Sequence, residues 1–149
     1  MKKLILIITW ISVALLASAH APVGEHADIR AVRNFVRIYK DASDTSWYSL
    51  KDGGYVCHFT QYGVKKRALY DERGGWLTTI AGYTEEHLPE AVRREVRSTY
   101  YDYAILFVNE ISMSGKPVSY VVQIQDKKTI RILRVVDGEM EEIQKIETL

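Results

Sequence analysis

Cysteine is almost absent from this chain. Cys57 is the only one among 149 residues, so no disulfide forms within a single molecule. It lies in the β-prone segment 55–59, where a buried thiol that packs as a small hydrophobic side chain is the expected state. Stability must therefore come from packing.

An excess of one charge sign is also absent. The chain has 20 basic and 19 acidic residues, and its Lys and Arg are spread along the sequence. Without Lys2 and Lys3, which belong to a predicted leader, 18 basic residues remain against 19 acidic ones. No basic stripe is available for phosphate contacts, which argues against a nucleic-acid partner.

Long hydrophobic runs are missing as well. The apolar run 4–16 has 13 residues, against about 20 needed to cross a bilayer. It follows Lys2 and Lys3 and precedes small residues, so residues 1–21 are predicted to be a secretory signal peptide. Cleavage after Ala19 or after Ala21 fits the pattern, and a lipoprotein cysteine does not follow the run. The expected mature chain, 22–149, is one periplasmic or secreted domain without stable membrane insertion.

Groupings that carry catalysis or bind metals are not found in the sequence. His26, His58 and His87 lie far apart, without the short ligand spacing of a zinc site. Cys57 and His58 are neighbours on a predicted strand and point to opposite faces. No Gly-x-Ser-x-Gly elbow or phosphate-binding loop occurs. We expect no catalytic residue, no metal and no cofactor.

Two amphipathic helices are predicted from apolar residues spaced three or four apart. In the first, Asp28 suits the N-terminal cap. The apolar positions are Ile29, Val32, Val36 and Tyr39 in the first helix and Leu88, Val92, Val96 and Tyr100 in the second.

Four short β-prone segments follow each helix. Their separators are short and carry turn residues, so neighbouring strands must be antiparallel. The predicted strands are 46–51, 55–62, 64–71 and 76–81, then 103–113, 118–125, 129–136 and 139–146. The predicted fold class is α+β, with two tandem repeats of a helix plus a four-stranded antiparallel sheet.

The two halves also share residues. The segments 31–33 and 36–37 match 91–93 and 96–97 at a constant offset of 60 residues, and Tyr55-Val56 matches Tyr120-Val121. We interpret this as an internal duplication with repeats of about 26–83 and 84–149. The stretch 67–89 then closes the first sheet and begins the second helix.

The order of these features resembles the exported PepSY-like family, whose members are similar to the β-lactamase inhibitor protein. The matching residues are Trp47, Tyr55, Phe59, Gly63, Ala68-Leu69-Tyr70-Asp71, Gly75-Trp76-Leu77-Thr78-Thr79, Leu88-Pro89, Val92, Val96, Tyr120-Val121-Val122 and Asp137-Gly138. The resemblance covers essentially the whole mature chain. It implies two helix-plus-sheet repeats that present a concave antiparallel surface.

The resemblance implies a non-enzymatic binding module, with inhibition of a periplasmic or secreted enzyme as one form of its action. The named inhibitor clamps an enzyme with its sheet and is held by disulfides. This chain has Cys57 alone, which argues against β-lactamases as the target. The partner is expected to be a protein or peptide.

Strand alternation divides the aromatic residues between two faces. If Trp47, Tyr55, Cys57 and Phe59 face the helices, then Tyr48, Val56 and His58 face outward; in the second half Tyr120, Val122 and Ile124 take the inner role. Tyr and Trp are enriched at protein interfaces. The candidate partner-binding residues are Tyr48, His58, Leu69 and Tyr83.

Two other functions fit the composition. One is a small-ligand carrier or enzyme with a cystatin-like or NTF2-like pocket between helix and sheet, in which His58 and buried tyrosines orient the ligand. The other is an envelope-maintenance protein that dimerises through edge strands. A deep closed pocket would favour the first, whereas a solid core beneath an open sheet favours the binding module. The oligomeric state does not follow from the sequence.

Overall fold

A computed structural model describes residues 27–148, and the predicted signal peptide lies outside them. The described chain contains two α-helices, one 3-10 turn and eight strands. In chain order they are α1 (Ile29–Ile38), β1 (Ser43–Ser49), β2 (Tyr55–Gln61), β3 (Val64–Tyr70), β4 (Trp76–Tyr83), a 3-10 turn (Glu85–His87), α2 (Glu90–Thr99), β5 (Ala104–Met113), β6 (Ser119–Gln125), β7 (Thr129–Val136) and β8 (Glu139–Glu147).

All eight strands form one antiparallel sheet in sequence order, β1 to β8. The pairing continues across the middle of the chain, because β4 and β5 pair from Thr78↔Met113 to Tyr83↔Val108. This connection joins the halves into a single surface. The predicted antiparallel sheet and the two helices are therefore present, and each helix precedes four strands.

Both helices pack on the same side of their strands through short apolar stripes. Beneath α1, Ala31 and Phe35 join a core of Cys57, Phe59, Ala68 and Tyr70. Beneath α2 a second core contains Leu88, Val92, Val96, Ala81, Tyr83, Tyr103, Ile105, Val108, Val122, Ile124, Leu133 and Val135. The predicted inward positions of β2 and β6 belong to these cores, and Cys57 is fully buried as expected.

The buried face of α1 differs from the predicted one. Ile29 and Val36 are 66% and 59% exposed, whereas Ala31 and Phe35 are buried. The Phe35 ring meets the rings of Trp47 and Phe59 at 5.5 Å and 4.9 Å between centroids. Burying this aromatic ring against the aromatic strands outweighs burying the aliphatic stripe.

Because α1 buries a different face from the predicted one, the two halves align differently. Ala31 and Phe35 occupy the places of Val92 and Val96, which is an offset of 61 residues and not 60. The C-cap residues Tyr39 and Tyr100 follow the same offset. The identical tripeptides at an offset of 60 thus point to different sides of their helices. Tyr55 and Tyr120 do occupy equivalent inner positions, and the duplication itself stays a prediction.

The turn between β3 and β4 fixes α1 on the sheet. Asp71 accepts hydrogen bonds from the Arg73 and Gly75 amides at 2.8 Å and 2.7 Å through its Oδ1. Gly74 has a φ of +81°, and a Cβ there would lie 2.6 Å from the Ala31 nitrogen. The Asn34 side-chain amide donates to the Gly74 carbonyl at 3.1 Å. Glycine is required because the helix backbone lies directly against the turn.

Candidate partner-binding surface

One face of the sheet is not covered by any helix of the described chain. Side chains alternate along each strand, so β2 buries Cys57 and Phe59 and exposes His58 between them. We call the face opposite α1 and α2 the outer face. Its side chains on β1 to β6 include Tyr48, Val56, Leu69, Thr78, His58, Arg67, Ile80, Ile111, Lys65, Asn109, Val121 and Phe107.

Three of the four predicted partner-binding residues lie together on this face. Tyr48 pairs with Val56, which pairs in turn with Leu69 on the next strand. The Tyr48 ring meets the His58 ring edge-on, with centroids 5.4 Å apart. Tyr48, Val56, Leu69 and His58 thus form one continuous patch over β1, β2 and β3.

Tyr83 lies on the opposite face, so its predicted place beside these three residues is wrong. Only 8% of its surface is exposed, and its hydroxyl donates to Glu110 at 2.5 Å. Strand β4 continues to Tyr83, beyond the predicted end at Ala81, and Thr79, Ala81 and Tyr83 all point inward. The residues of β4 that belong to the outer face are Thr78, Ile80 and Gly82.

The outer face contains a shallow depression of about 360 Å³ over β2 to β5. Side chains from neighbouring strands line it, including the apolar Ile80 and the polar Thr60 and Asn109. Lys65, Arg67 and Ile80 were not among the predicted partner-binding residues. The alternation of β3 was the available signal, since Lys65, Arg67 and Leu69 share one face.

A glycine on the outer face makes room for an aromatic ring. A Cβ at Gly82 would come within 2.9 Å of the Phe107 ring, which therefore lies across Gly82 beside the depression. The Phe107 side chain is still 42% exposed. This leaves a flat apolar surface next to the aliphatic side chains of Ile80 and Ile111.

The electrostatics of the depression are positive. Lys65 and Arg67 are exposed and form no ion pair with any residue in 27–148, and Asp44 is the carboxylate of the lining. Partial desolvation, followed by the charge of Arg67, lowers the pKa of His58. At neutral pH His58 is therefore an uncharged ring between aromatic and cationic neighbours.

On the helix-covered face, polar side chains form hydrogen bonds within the fold. The Trp76 indole donates to the Thr79 hydroxyl at 2.9 Å, and the Tyr39 hydroxyl bonds to the same oxygen. Burial raises the pKa of Cys57 to about 12, so this thiol stays protonated. No cluster of three potential metal ligands occurs in the described part of the chain.

Comparison with known proteins finds similarity only to solved structures. No protein-family model and no curated protein matches the chain. A BLIP-like protein from Bacteroides fragilis, named for the β-lactamase inhibitor protein, has a TM-score of 0.64 and 20% identity over 84% of this chain and 89% of its own. A DUF2874 family protein from Bacteroides ovatus has a TM-score of 0.64 and 18% identity, covering 83% and 89%.

A third solved structure agrees with these two. It is a proposed periplasmic protein from Bacteroides eggerthii, with a TM-score of 0.61 and 16% identity over 82% of this chain and 89% of its own. At such identities the likeness establishes the fold. The chain thus has a BLIP-like fold, and no helix within residues 27–148 has the length and apolar character of a membrane span.

Proposed function

We propose that this chain is an exported, non-enzymatic module that binds a protein or peptide through the outer face of its sheet. The observation that carries the proposal is the uncovered row of apolar and aromatic side chains on a continuous eight-stranded sheet. Apolar surface of this kind is typical of interaction sites. Inhibition of an exported enzyme is one consequence that such binding would have.

The packing beneath the helices supports a binding module over a ligand carrier. The space between helices and strands is filled by two cores, in which Phe35, Tyr70, Val96 and Val108 are at most 3% exposed. The depression over β2 to β5 opens on the other side of the sheet. A cystatin-like or NTF2-like pocket requires the reverse arrangement.

The edge strands argue against dimerisation by strand pairing. In β1 the register shifts between Ser43 and Ser46, where Asp44 has a φ of +52°. In β8 the register shifts opposite Ile132 and Leu133, and the strand carries four glutamates and one lysine. Irregular backbone and charged side chains both hinder pairing between sheet edges.

Affinity capture from the native exported fraction tests the proposal when paired variants are used as bait. Ile111→Lys places a charge on the outer face, and Val36→Lys makes the same kind of change on the exposed side of α1. We expect wild type and Val36→Lys to recover the same partner, and Ile111→Lys to recover at most about a tenth as much. Thermal unfolding verifies that both variants are folded.

Two results would contradict the proposal. One is a partner that Val36→Lys loses and Ile111→Lys retains, since binding would then occur on the helix side. The other is equal recovery by all three baits. The predicted export is tested separately by N-terminal sequencing of the secreted chain, which should begin at His20 or Pro22.

A further inference from the structure

The depression on the outer face has the charge and shape to receive an acidic side chain. Lys65 and Arg67 are two residues apart on β3 and therefore project from the same face, about 7 Å apart along the strand. Register places His58 directly opposite Arg67, and Thr60 opposite Lys65. All four side chains, from two neighbouring strands, line the depression.

No residue in 27–148 forms an ion pair with Lys65 or Arg67. Ion pairs among residues 27–148 engage other basic residues, namely Arg30, Arg93, Arg97, Arg131, Arg134 and Lys145. Asp44 lines the rim of the depression, and none of these pairs joins it to a lysine or arginine. By contrast, another arginine of the outer face, four strands away on β7, does form an ion pair: Arg134 lies 2.7 Å from Glu141.

Apolar surface borders the charged position on one side. Ile80 pairs with Arg67 across β3 and β4, and Ile111 follows on β5. Phe107 lies across Gly82 and is partly exposed. The charged and the apolar surfaces adjoin. A partner segment that places a carboxylate over Arg67 and Lys65 would therefore also place a neighbouring side chain on the apolar surface.

We propose that the depression formed by His58, Lys65, Arg67 and Ile80 binds an Asp or Glu side chain of the partner protein, with an adjacent apolar side chain on Ile80 and Phe107. The guanidinium of Arg67 suits a carboxylate because its planar donors match both oxygens. A nucleic acid fits less well, since two cations and a near-neutral chain give little attraction for a phosphate backbone. This inference rests on the proposed function and specifies the chemistry of the partner.

Selection from a displayed library of random twelve-residue peptides on the purified protein tests this inference. We expect enriched peptides to carry Asp or Glu next to an aromatic or aliphatic residue. Their affinity should fall at least about tenfold on the Lys65→Gln/Arg67→Gln double variant. The matched control Lys127→Gln/Lys128→Gln removes two exposed charges from the β6–β7 turn and should change affinity less than twofold.

The possible outcomes separate this inference from the proposed function. Enriched peptides without acidic residues, whose binding fails on Ile111→Lys, would overturn the carboxylate site and leave the outer face as a binding surface. Peptides whose binding fails only on Val36→Lys would overturn both. Recovery of no peptide above blank support would overturn the carboxylate site, and so would a single-stranded DNA twelve-mer that binds wild type and not the double variant.

Replacing the carboxylate in the best peptide adds a direct chemical control. Asp→Asn or Glu→Gln in that peptide should weaken binding to wild-type protein about tenfold and should have little effect on the Lys65→Gln/Arg67→Gln variant. This non-additivity shows that the cations and the carboxylate interact with each other. Equal losses on both proteins would overturn the inference even if the double variant binds more weakly.

Discussion

Two buried tyrosines on the inner face differ in what their hydroxyl groups contact. The Tyr83 hydroxyl donates to Glu110, whereas the Tyr70 hydroxyl is buried and has no hydrogen-bond partner among the described residues. Burying a hydroxyl without a partner costs free energy of folding, and burying one with a charged acceptor does not carry that cost. The same substitution should therefore have different effects at the two sites.

We expect Tyr70→Phe to leave the free energy of unfolding unchanged or to raise it by up to about 1 kcal/mol, because the change removes the unpaired hydroxyl. Tyr83→Phe should lower it by about 1–2 kcal/mol, since Glu110 loses its donor. Urea unfolding followed by circular dichroism measures both. A larger loss for Tyr70→Phe than for Tyr83→Phe would contradict this account.

His58 should make stability depend on pH. Its pKa is lowered in the folded state from the ordinary value of 6.5, first by partial desolvation and then by Arg67. The unfolded chain therefore binds the proton more readily, and the free energy of unfolding falls as pH drops below about 6.5 and through the lower folded pKa. We expect the decrease between pH 7.5 and 5 to be smaller in His58→Gln than in wild type. Identical pH profiles for the two proteins would show that folding does not change the pKa of His58.

At the scale of elements, the contact between α1 and the β3–β4 turn should make the protein sensitive to substitution of Gly74. Gly74 and Gly115 both have positive φ, but a Cβ at Gly74 would meet backbone atoms within 3 Å, whereas a Cβ at Gly115 would enter open space. Gly115→Ala should cost about 1 kcal/mol from backbone strain. Gly74→Ala should cost at least about 2 kcal/mol because α1 must also move. Urea unfolding of both variants tests this, and equal losses would mean that α1 tolerates the displacement.

The sequence was sufficient to predict α2 and less so α1. Apolar residues of α2 fall on a single stripe, and Val92 and Val96 are buried as predicted. In α1, two stripes compete, one through Val36 and one through Ala31 and Phe35. The choice depends on ring contacts with distant strands, and spacing within the helix does not contain that information.

Strand positions were easier to predict because turn residues delimit them. Strand β7 has the predicted bounds, 129–136, and the other strands differ from the predicted bounds by up to three residues. The sheet face of β2 also followed from alternation. The error at Tyr83 arose in β4, where alternation was not applied and the strand continues two residues further than expected.

At the scale of the whole molecule, pairing between distant strands creates the candidate site. Tyr48, His58 and Leu69 lie on the outer face, and their role in binding stays a prediction. The depression around Lys65 and Arg67 depends on the register of β2 with β3 and of β3 with β4. The register between these three strands is set by the assembled sheet. The sequence alone therefore did not show that Lys65 and Arg67 lie beside His58 and Ile80.

The pairing of β4 with β5 matters most for function in this account. It joins the first four strands to the last four, and the outer face thereby extends over both halves. Two separate four-stranded sheets would each offer a narrower surface. The continuous sheet therefore offers a partner one surface that extends over eight strands.

Photo-cross-linking in the native exported fraction tests the central claim, binding through the outer face, most directly. A photoreactive amino acid replaces Tyr48 or Ile111 on the outer face, or Arg33 or Arg94 on the exposed sides of the two helices. We expect an adduct of one discrete mass from the two outer-face positions and none from the helix positions. Adducts from the helix positions alone would contradict it.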